Sequence, residues 1–102
     1  MMSRVMVRYK VKRERVAENE QLVRAVYDEL ARAAPAGLRY ATFALGDGVS
    51  FVHIASVETE DGHNPLSDVK AFAEFQNGIA ARCDEAPVVS DLREVGSFRF
   101  FG

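Results

Sequence analysis

A period-two alternation opens the chain. Over residues 3–12, Val5, Val7, Tyr9 and Val11 point one way, while Arg4, Met6, Arg8, Lys10 and Lys12 point the other. That pattern predicts a strand with one firmly buried face. From about Glu14 to Ala34 the period becomes helical: Val16, Val23, Val26 or Tyr27, Leu30 and Ala33 or Ala34 form an apolar stripe among charged residues. Pro35 and Gly37 end this helix. A hairpin follows, Leu38–Leu45 and Val49–Val57 around Gly46-Asp47-Gly48. Asp47-Gly48 signals a two-residue turn with positive φ. Closing there pairs Phe43 with Val52 and Ala41 with Ile54 on one face, and Ala44 with Phe51, Thr42 with His53 and Tyr40 with Ala55 on the other. Glu58 to Asn64 is polar and reads as a loop. Asn64 or Ser67 caps a second helix, with Pro65 in its first turn. Its apolar positions are Val69, Phe72, Phe75, Ile79 and Cys83. Pro87 bounds it, Val88 to Val95 predicts a fourth strand, and Gly96 interrupts before Ser97-Phe98-Arg99-Phe100-Phe101.

The order strand, helix, strand, strand, helix, strand, with right-handed crossovers, predicts an α+β ferredoxin-like βαββαβ sandwich over residues 1–102 as a single domain. Its first and third strands are central, and both helices lie on one face of the antiparallel sheet. The pattern places Val5, Val7, Tyr9 and Val11 under the helices with Ala41, Phe43, Val52 and Ile54. Met6, Arg8, Lys10, Leu38, Tyr40, Thr42, Phe51, His53 and Ala55 then fall on the open face. The fourth strand presents either Ser90, Leu92 and Glu94 or Asp91, Arg93 and Val95. Both hairpin faces are largely apolar and need cover, but two helices cover only one. A second molecule, in a homodimer, or a ligand covers the other.

Composition narrows the setting without naming a reaction. The chain has 102 residues, enough for one compact domain, and a formal net charge of −2, which offers no general attraction to nucleic acid or anionic membrane. A lone cysteine, Cys83, permits no internal disulfide and points to a reducing, cytoplasmic setting. The alternating N-terminus lacks the uninterrupted apolar run of a signal peptide or membrane span. RNA binding on this topology needs basic, aromatic strands. Ser50-Phe51-Val52-His53-Ile54 lacks them.

The element order, the length near one hundred residues and Ala71-Phe72-Ala73-Glu74-Phe75-Gln76 on the second helix resemble the dimeric α/β barrel proteins. Within that group the chain resembles the antibiotic-biosynthesis-monooxygenase-type domains. The resemblance implies a homodimer in which two sheets face each other and enclose a cavity. It further implies oxygenase chemistry on quinol-like aromatics without a bound cofactor. A histidine often found on the second helix of such domains would fall near Phe75, so it is absent here. The chain has no tryptophan, which counts against the haem-degrading members.

His53 is the leading chemical candidate. Mid-strand beside Tyr40 and Thr42, it could exchange protons with an enolisable or phenolic substrate, Tyr40 assisting. The alternative is a histidine hydrogen-bonded to Thr42 or a carbonyl inside a dimer interface. Arg8, Thr42 and Phe51 are the candidates for binding a small aromatic molecule; Arg8 and Lys10 serve equally well as interface charges facing Glu94 or Asp91. His63, in Glu60-Asp61-Gly62-His63, resembles a metal site only in residue type, so no metal is expected. Cys83 reads as a small core residue. The alternative to an enzyme is a non-catalytic binding or dimeric interaction module. Phe98, Phe100 and Phe101 predict an extended tail packed on the sheet edge or across a partner, with Phe98 and Phe100 on one side and Arg99 and Phe101 on the other.

Overall fold

A computed structural model describes residues 2–100 of the chain. Strand β1 (Ser3–Val11) leads through a 3-10 turn at Arg13–Arg15 into helix α1 (Val16–Ala33). The helix stops where Ala34 takes a left-handed conformation at φ 43°, directly before Pro35. Strands β2 (Leu38–Ala44) and β3 (Ser50–Val57) follow, then a 3-10 turn at Pro65–Asp68, helices α2 (Lys70–Gln76) and α3 (Ile79–Arg82), and strand β4 (Cys83–Asp91). The sheet runs β2-β3-β1-β4 with every pair antiparallel. The first and third strands are central, as the ferredoxin-like reading requires.

The hairpin register is the expected one: Tyr40 opposite Ala55, Ala41 opposite Ile54, Thr42 opposite His53, Phe43 opposite Val52, Ala44 opposite Phe51. The turn differs. Leu45 and Ser50 still bond across it, and Gly48 N donates to the Leu45 carbonyl, so the bend centres on Gly46-Asp47. Within it only Gly48 is left-handed, at φ 78°. Asp47 instead turns its carboxylate inward, accepting from Val49 N, Ser50 N and the Ser50 hydroxyl at 2.9, 2.8 and 2.6 Å. A four-residue loop preserves the register of a two-residue turn because both are symmetric about the same point.

Which hairpin face lies under the helices is the reverse of the expectation. Strand β1 pairs Val7 with His53, Tyr9 with Phe51 and Val5 with Ala55. Residues opposite each other share a face, so Phe51, His53, Ala55, Tyr40 and Thr42 lie beneath the helices. Ala41, Phe43, Val52 and Ile54 join Met6, Arg8 and Lys10 on the open side. The physical reason is aromatic packing. Tyr9 stacks on Phe51 at 5.6 Å between ring centroids and meets Phe75 at 6.1 Å, His53 meets Phe75 at 5.2 Å, and Tyr40 meets Phe72 edge-on at 6.4 Å. Large rings fill the wedge between sheet and helices that the smaller Val52 and Ile54 would leave open.

The second helix is shorter than predicted. Asn64 caps the 3-10 turn, accepting from Leu66 N at 3.0 Å with Pro65 behind it. Helix α2 begins only at Lys70, where Glu29 of α1 accepts from Lys70 N and Ala71 N at 3.0 and 2.9 Å. These bonds hold the Glu29 carboxyl below its usual range. Gly78, at φ 79°, breaks the helix, and Cys83 is the first residue of β4, half-buried rather than on a helical stripe.

Strand β4 ends at Asp91, short of Val95, with Val88 and Ser90 on the open face, opposite Arg8 and Met6. The tail does not extend as a strand. Arg99 is left-handed at φ 55°, which breaks the alternation, and its guanidinium sits 4.8 Å over the Phe98 ring. Phe100 turns onto the open face, at a groove shared with Ala41, Phe43 and Ile54. Phe101 lies outside the described residues.

Candidate functional site

A cavity of about 480 Å³ opens between the sheet and α2–α3. Val5, Val7 and Tyr9 of β1, His53 and Ala55 of β3 and Val89 of β4 form its sheet side, with Tyr40 of β2, and α2, α3 and the turn at Asn64–Leu66 face them. Phe72, Phe75, Ile79, Val7 and Val89 supply apolar walls, while Tyr9, Tyr40, His53, Asn64 and Gln76 bring polar atoms. Among the described residues, no charged side chain lines it. Such a chamber suits an uncharged, flat molecule bearing a few hydrogen-bonding groups.

His53 is 5% exposed at the floor of this cavity. Its Nε2 lies 2.7 Å from the Tyr9 hydroxyl, and its Nδ1 lies 2.5 Å from the Tyr40 hydroxyl and 3.2 Å from Thr42 Oγ1. The network continues on the Tyr9 side. Asn19, fully buried on α1, donates from Nδ2 to the Tyr9 hydroxyl at 3.0 Å, and Arg82 Nε donates to Asn19 Oδ1 at 3.2 Å. Arg82 is itself 2% exposed. Its other nitrogens donate to the Phe75 carbonyl at 2.7 Å and the Asn77 carbonyl at 3.3 Å, tying off the end of α2.

This chain of bonds fixes the protons. A guanidinium only donates, so Arg82 orients the Asn19 amide with its oxygen toward the guanidinium and its nitrogen toward Tyr9. The Tyr9 oxygen thus already accepts one bond, and the acceptor within reach of its own hydrogen is His53 Nε2. His53 then carries its hydrogen on Nδ1 and donates it to Tyr40 or Thr42. Tyr40, half-buried at the cavity edge, is left with a hydroxyl hydrogen to offer to the cavity. Burial lowers the His53 pKa to about 4 and raises that of Tyr9 to about 12. Tyr40 is likewise raised, chiefly by burial. All three groups are therefore neutral near pH 7, in a medium where hydrogen bonds are strong.

His53 and Tyr40 are thus brought together, but beneath the helices rather than on the open face. Arg8 is exposed on the opposite side of the sheet, which removes it from their site. Thr42 and Phe51 share the helix face but are not among the residues lining the cavity; Thr42 reaches it through His53 and Tyr40. Lys10 pairs with Glu85 at 3.8 Å, and Glu94 with Arg4 at 2.7 Å. His63 is exposed and bonds to Asp68 at 2.7 Å; among the described residues no group of three or more His, Cys, Asp or Glu is placed to hold a metal ion. Asn19 and Arg82 were not singled out from sequence. The signal was present: each interrupts an apolar stripe, Val16-Asn19-Val23-Val26 and Phe75-Ile79-Arg82, at helical spacing.

No family model and no curated protein matches the sequence. Solved structures match over nearly its whole length. One described as an antibiotic biosynthesis monooxygenase superposes with a TM-score of 0.73 at 20% identity, covering 94% of this chain and 100% of its own. A variant of SnoaB, described as a cofactor-independent oxygenase from Streptomyces nogalater, gives 0.69 at 17% identity over 96% of this chain and 97% of its own. A dimeric ferredoxin-like protein of unknown function from Jannaschia sp. gives 0.66 at 16% identity over 92% and 100%. The chain therefore shares the ferredoxin-like fold of these proteins. Identities this low speak for the fold and not for the reaction. No helix among the described residues is long and apolar enough to cross a membrane.

Proposed function

We propose that the protein is a cofactor-independent oxygenase that binds a small, uncharged hydroxylated aromatic or quinone-like molecule in the cavity under α2. The observation that carries this reading is a neutral, buried imidazole held between two tyrosine hydroxyls at the floor of an uncharged, largely apolar chamber. A phenolic or enolic hydroxyl of the substrate donates to the Tyr9 oxygen as the Tyr9 hydrogen moves to His53 Nε2. Tyr40 offers its hydrogen to an oxygen of the resulting anion. The imidazolium and the substrate anion form together, so burial penalises the pair less than either charge alone. The electron-rich carbanion form of that anion reacts with molecular oxygen. A CH2 becomes C=O, one oxygen atom is retained and the other leaves in water. The fold likeness to SnoaB, described as a cofactor-independent oxygenase, supports oxygenase chemistry without a bound cofactor by analogy alone.

The test is a panel of hydroxylated bicyclic and tricyclic aromatics and quinols, read by thermal shift and by oxygen uptake. A ligand that raises the melting temperature and drives uptake of one O2 per product, with one labelled atom retained, is the expected result. Binding without uptake would instead favour the non-catalytic module. A panel with neither response overturns the reading.

The open face supports a second element of the proposal, a homodimer. Phe43 is 51% exposed and Val88 63% exposed there, beside Met6, Val52, Ile54 and Phe100. Arg8 and Lys10 interrupt these apolar side chains, yet exposed groups of this size call for a covering surface, and a second copy of the same face supplies one. Light scattering at micromolar concentration should return twice the chain mass, with Phe43→Glu shifting it to the monomer. A wild-type monomer would remove the dimer and leave the cavity argument untouched.

A further inference from the structure

The hydrogen bonds of the site do not stop at the cavity wall. Behind His53, Thr42 Oγ1 lies 3.2 Å from Nδ1 and 2.8 Å from the Tyr27 hydroxyl. Thr42 and Tyr27 line a second concavity, a groove of about 290 Å³ along α1 and β2 that also carries Glu20 and Arg24. Among the described residues, none lines both this groove and the cavity. The imidazole stands between the two, with Thr42 on the groove side of its Nδ1; Tyr40, its other Nδ1 partner, lines the cavity and also a shallower groove at the end of α1, and bonds to Thr42 as well.

We propose that Thr42 and Tyr27 form a rear exit, through which a proton on His53 reaches water in the groove without crossing the occupied cavity. A bound aromatic would fill the front, so a proton taken up by His53 would have no aqueous acceptor there. Through the rear, the Nδ1 proton passes to Thr42 Oγ1, the Thr42 hydroxyl hydrogen passes to the Tyr27 oxygen, and the Tyr27 hydrogen passes to a groove water. The imidazolium loses one proton, the groove gains one, and each hydroxyl ends with one hydrogen. His53 is left as its Nε2–H tautomer; the resting form returns when a groove proton re-enters Nδ1 by the same path and the Nε2 proton passes back through Tyr9 to the product anion. The geometry suits a relay rather than a base. Tyr27 is stacked on Tyr40, with centroids 5.3 Å apart and planes at 16°, which holds its hydroxyl at Thr42. Burial raises its pKa, so it stays protonated.

Use of this exit in turnover rests on the oxygenase reading, but the connection itself is tested without substrate. The measurement is the rate at which the His53 Nδ1 hydrogen exchanges with water, by nitrogen-15 NMR with saturation transfer from the water signal. Tyr27→Phe removes one hydroxyl and keeps the ring stack; Thr42→Val removes the other; Thr42→Ser restores it. Exchange should slow about tenfold or more in the first two variants and return toward the wild-type rate in the third. If Thr42→Val fails to fold, Tyr27→Phe with Thr42→Ser decides. Unchanged or faster exchange in Tyr27→Phe, with the His53 ring-nitrogen shifts preserved, overturns the exit, because the proton then leaves through the cavity or by local opening. Failure of the oxygen-uptake panel leaves this result standing, and the converse also holds.

Discussion

Replacing Arg82 by Met should lower the unfolding free energy by about 2–4 kcal/mol, read as a fall in the urea midpoint at unchanged slope. Methionine keeps most of the stem volume, so packing against Phe75 survives. What goes is the donor set. Asn19 Oδ1 and the carbonyls of Phe75 and Asn77 all lose their guanidinium partner, and the bonds to Asn19 and Phe75 are buried. Each stranded acceptor costs about 1–3 kcal/mol. Relief of the buried charge offsets part of the sum. For a chain of this size, where about 5–15 kcal/mol is the whole stability, that loss is large. A second consequence distinguishes the role from general packing. Without Arg82, nothing holds the Asn19 amide in one orientation, so Tyr9 can point its hydrogen elsewhere and His53 should populate both tautomers in its nitrogen-15 spectrum. A Met variant as stable as wild type, with the Nδ1–H tautomer intact, would show that neither the stability nor the proton arrangement depends on the guanidinium.

Arg82 also shows where sequence reading loses its grip. The topology was legible because each element carries its own period: alternation in Ser3–Val11, a helical stripe in Val16–Ala33, and turn residues between Leu45 and Ser50. The pairing of Thr42 with His53 was legible for the same reason. The face of that pair was not. Phe51, His53 and Ala55 alternate with Val52 and Ile54, and either set could be core, so periodicity alone returns two equal answers. The decision belongs to the β1–β3 pairing, a contact between segments more than forty residues apart. Strand register there depends on how Tyr9, Phe51, Phe72 and Phe75 fill one wedge together. Arg8 left the candidate site by the same reversal. Asn19 and Arg82 were hidden differently: a polar residue on an apolar stripe announces a buried partner but does not name it, and here the partners are each other, Tyr9 and the carbonyls of Phe75 and Asn77. The helix break was signalled by Gly78, whose positive φ became meaningful only once Asn77 ended α2.

Stability should fall as the pH is lowered from about 6.5 to about 4, and His53 should be the cause. Burial depresses its pKa in the fold to about 4, against an ordinary value of 6.5. Between those values the unfolded chain binds a proton that the folded chain refuses, so stability rises with pH across the window and is fully present above it. Integrated over the window, the effect is about 3 kcal/mol. The window is nearly free of other contributions. Asp47, Glu18, Glu29, Glu58 and Asp61 are all held below their usual range by hydrogen bonds, so their contributions are lost mainly below about pH 4.5. His63, the other histidine, is shifted up by Asp68 and has the opposite sign: its contribution is present at low pH and fades as the pH rises. It is exposed, so solvent screens that contribution. Urea unfolding at several pH values between 4.5 and 7.5 measures the slope. The control is His53→Gln, whose amide offers a donor toward Tyr40 and an acceptor toward Tyr9 but does not titrate in this range. The wild-type curve should fall steeply with acid while the Gln variant stays nearly flat. Two parallel curves would mean that His53 takes up its proton in the folded state as readily as in the unfolded chain. The imidazole would then be hydrated, and its place as a dry, neutral proton acceptor between Tyr9 and Tyr40 would be lost.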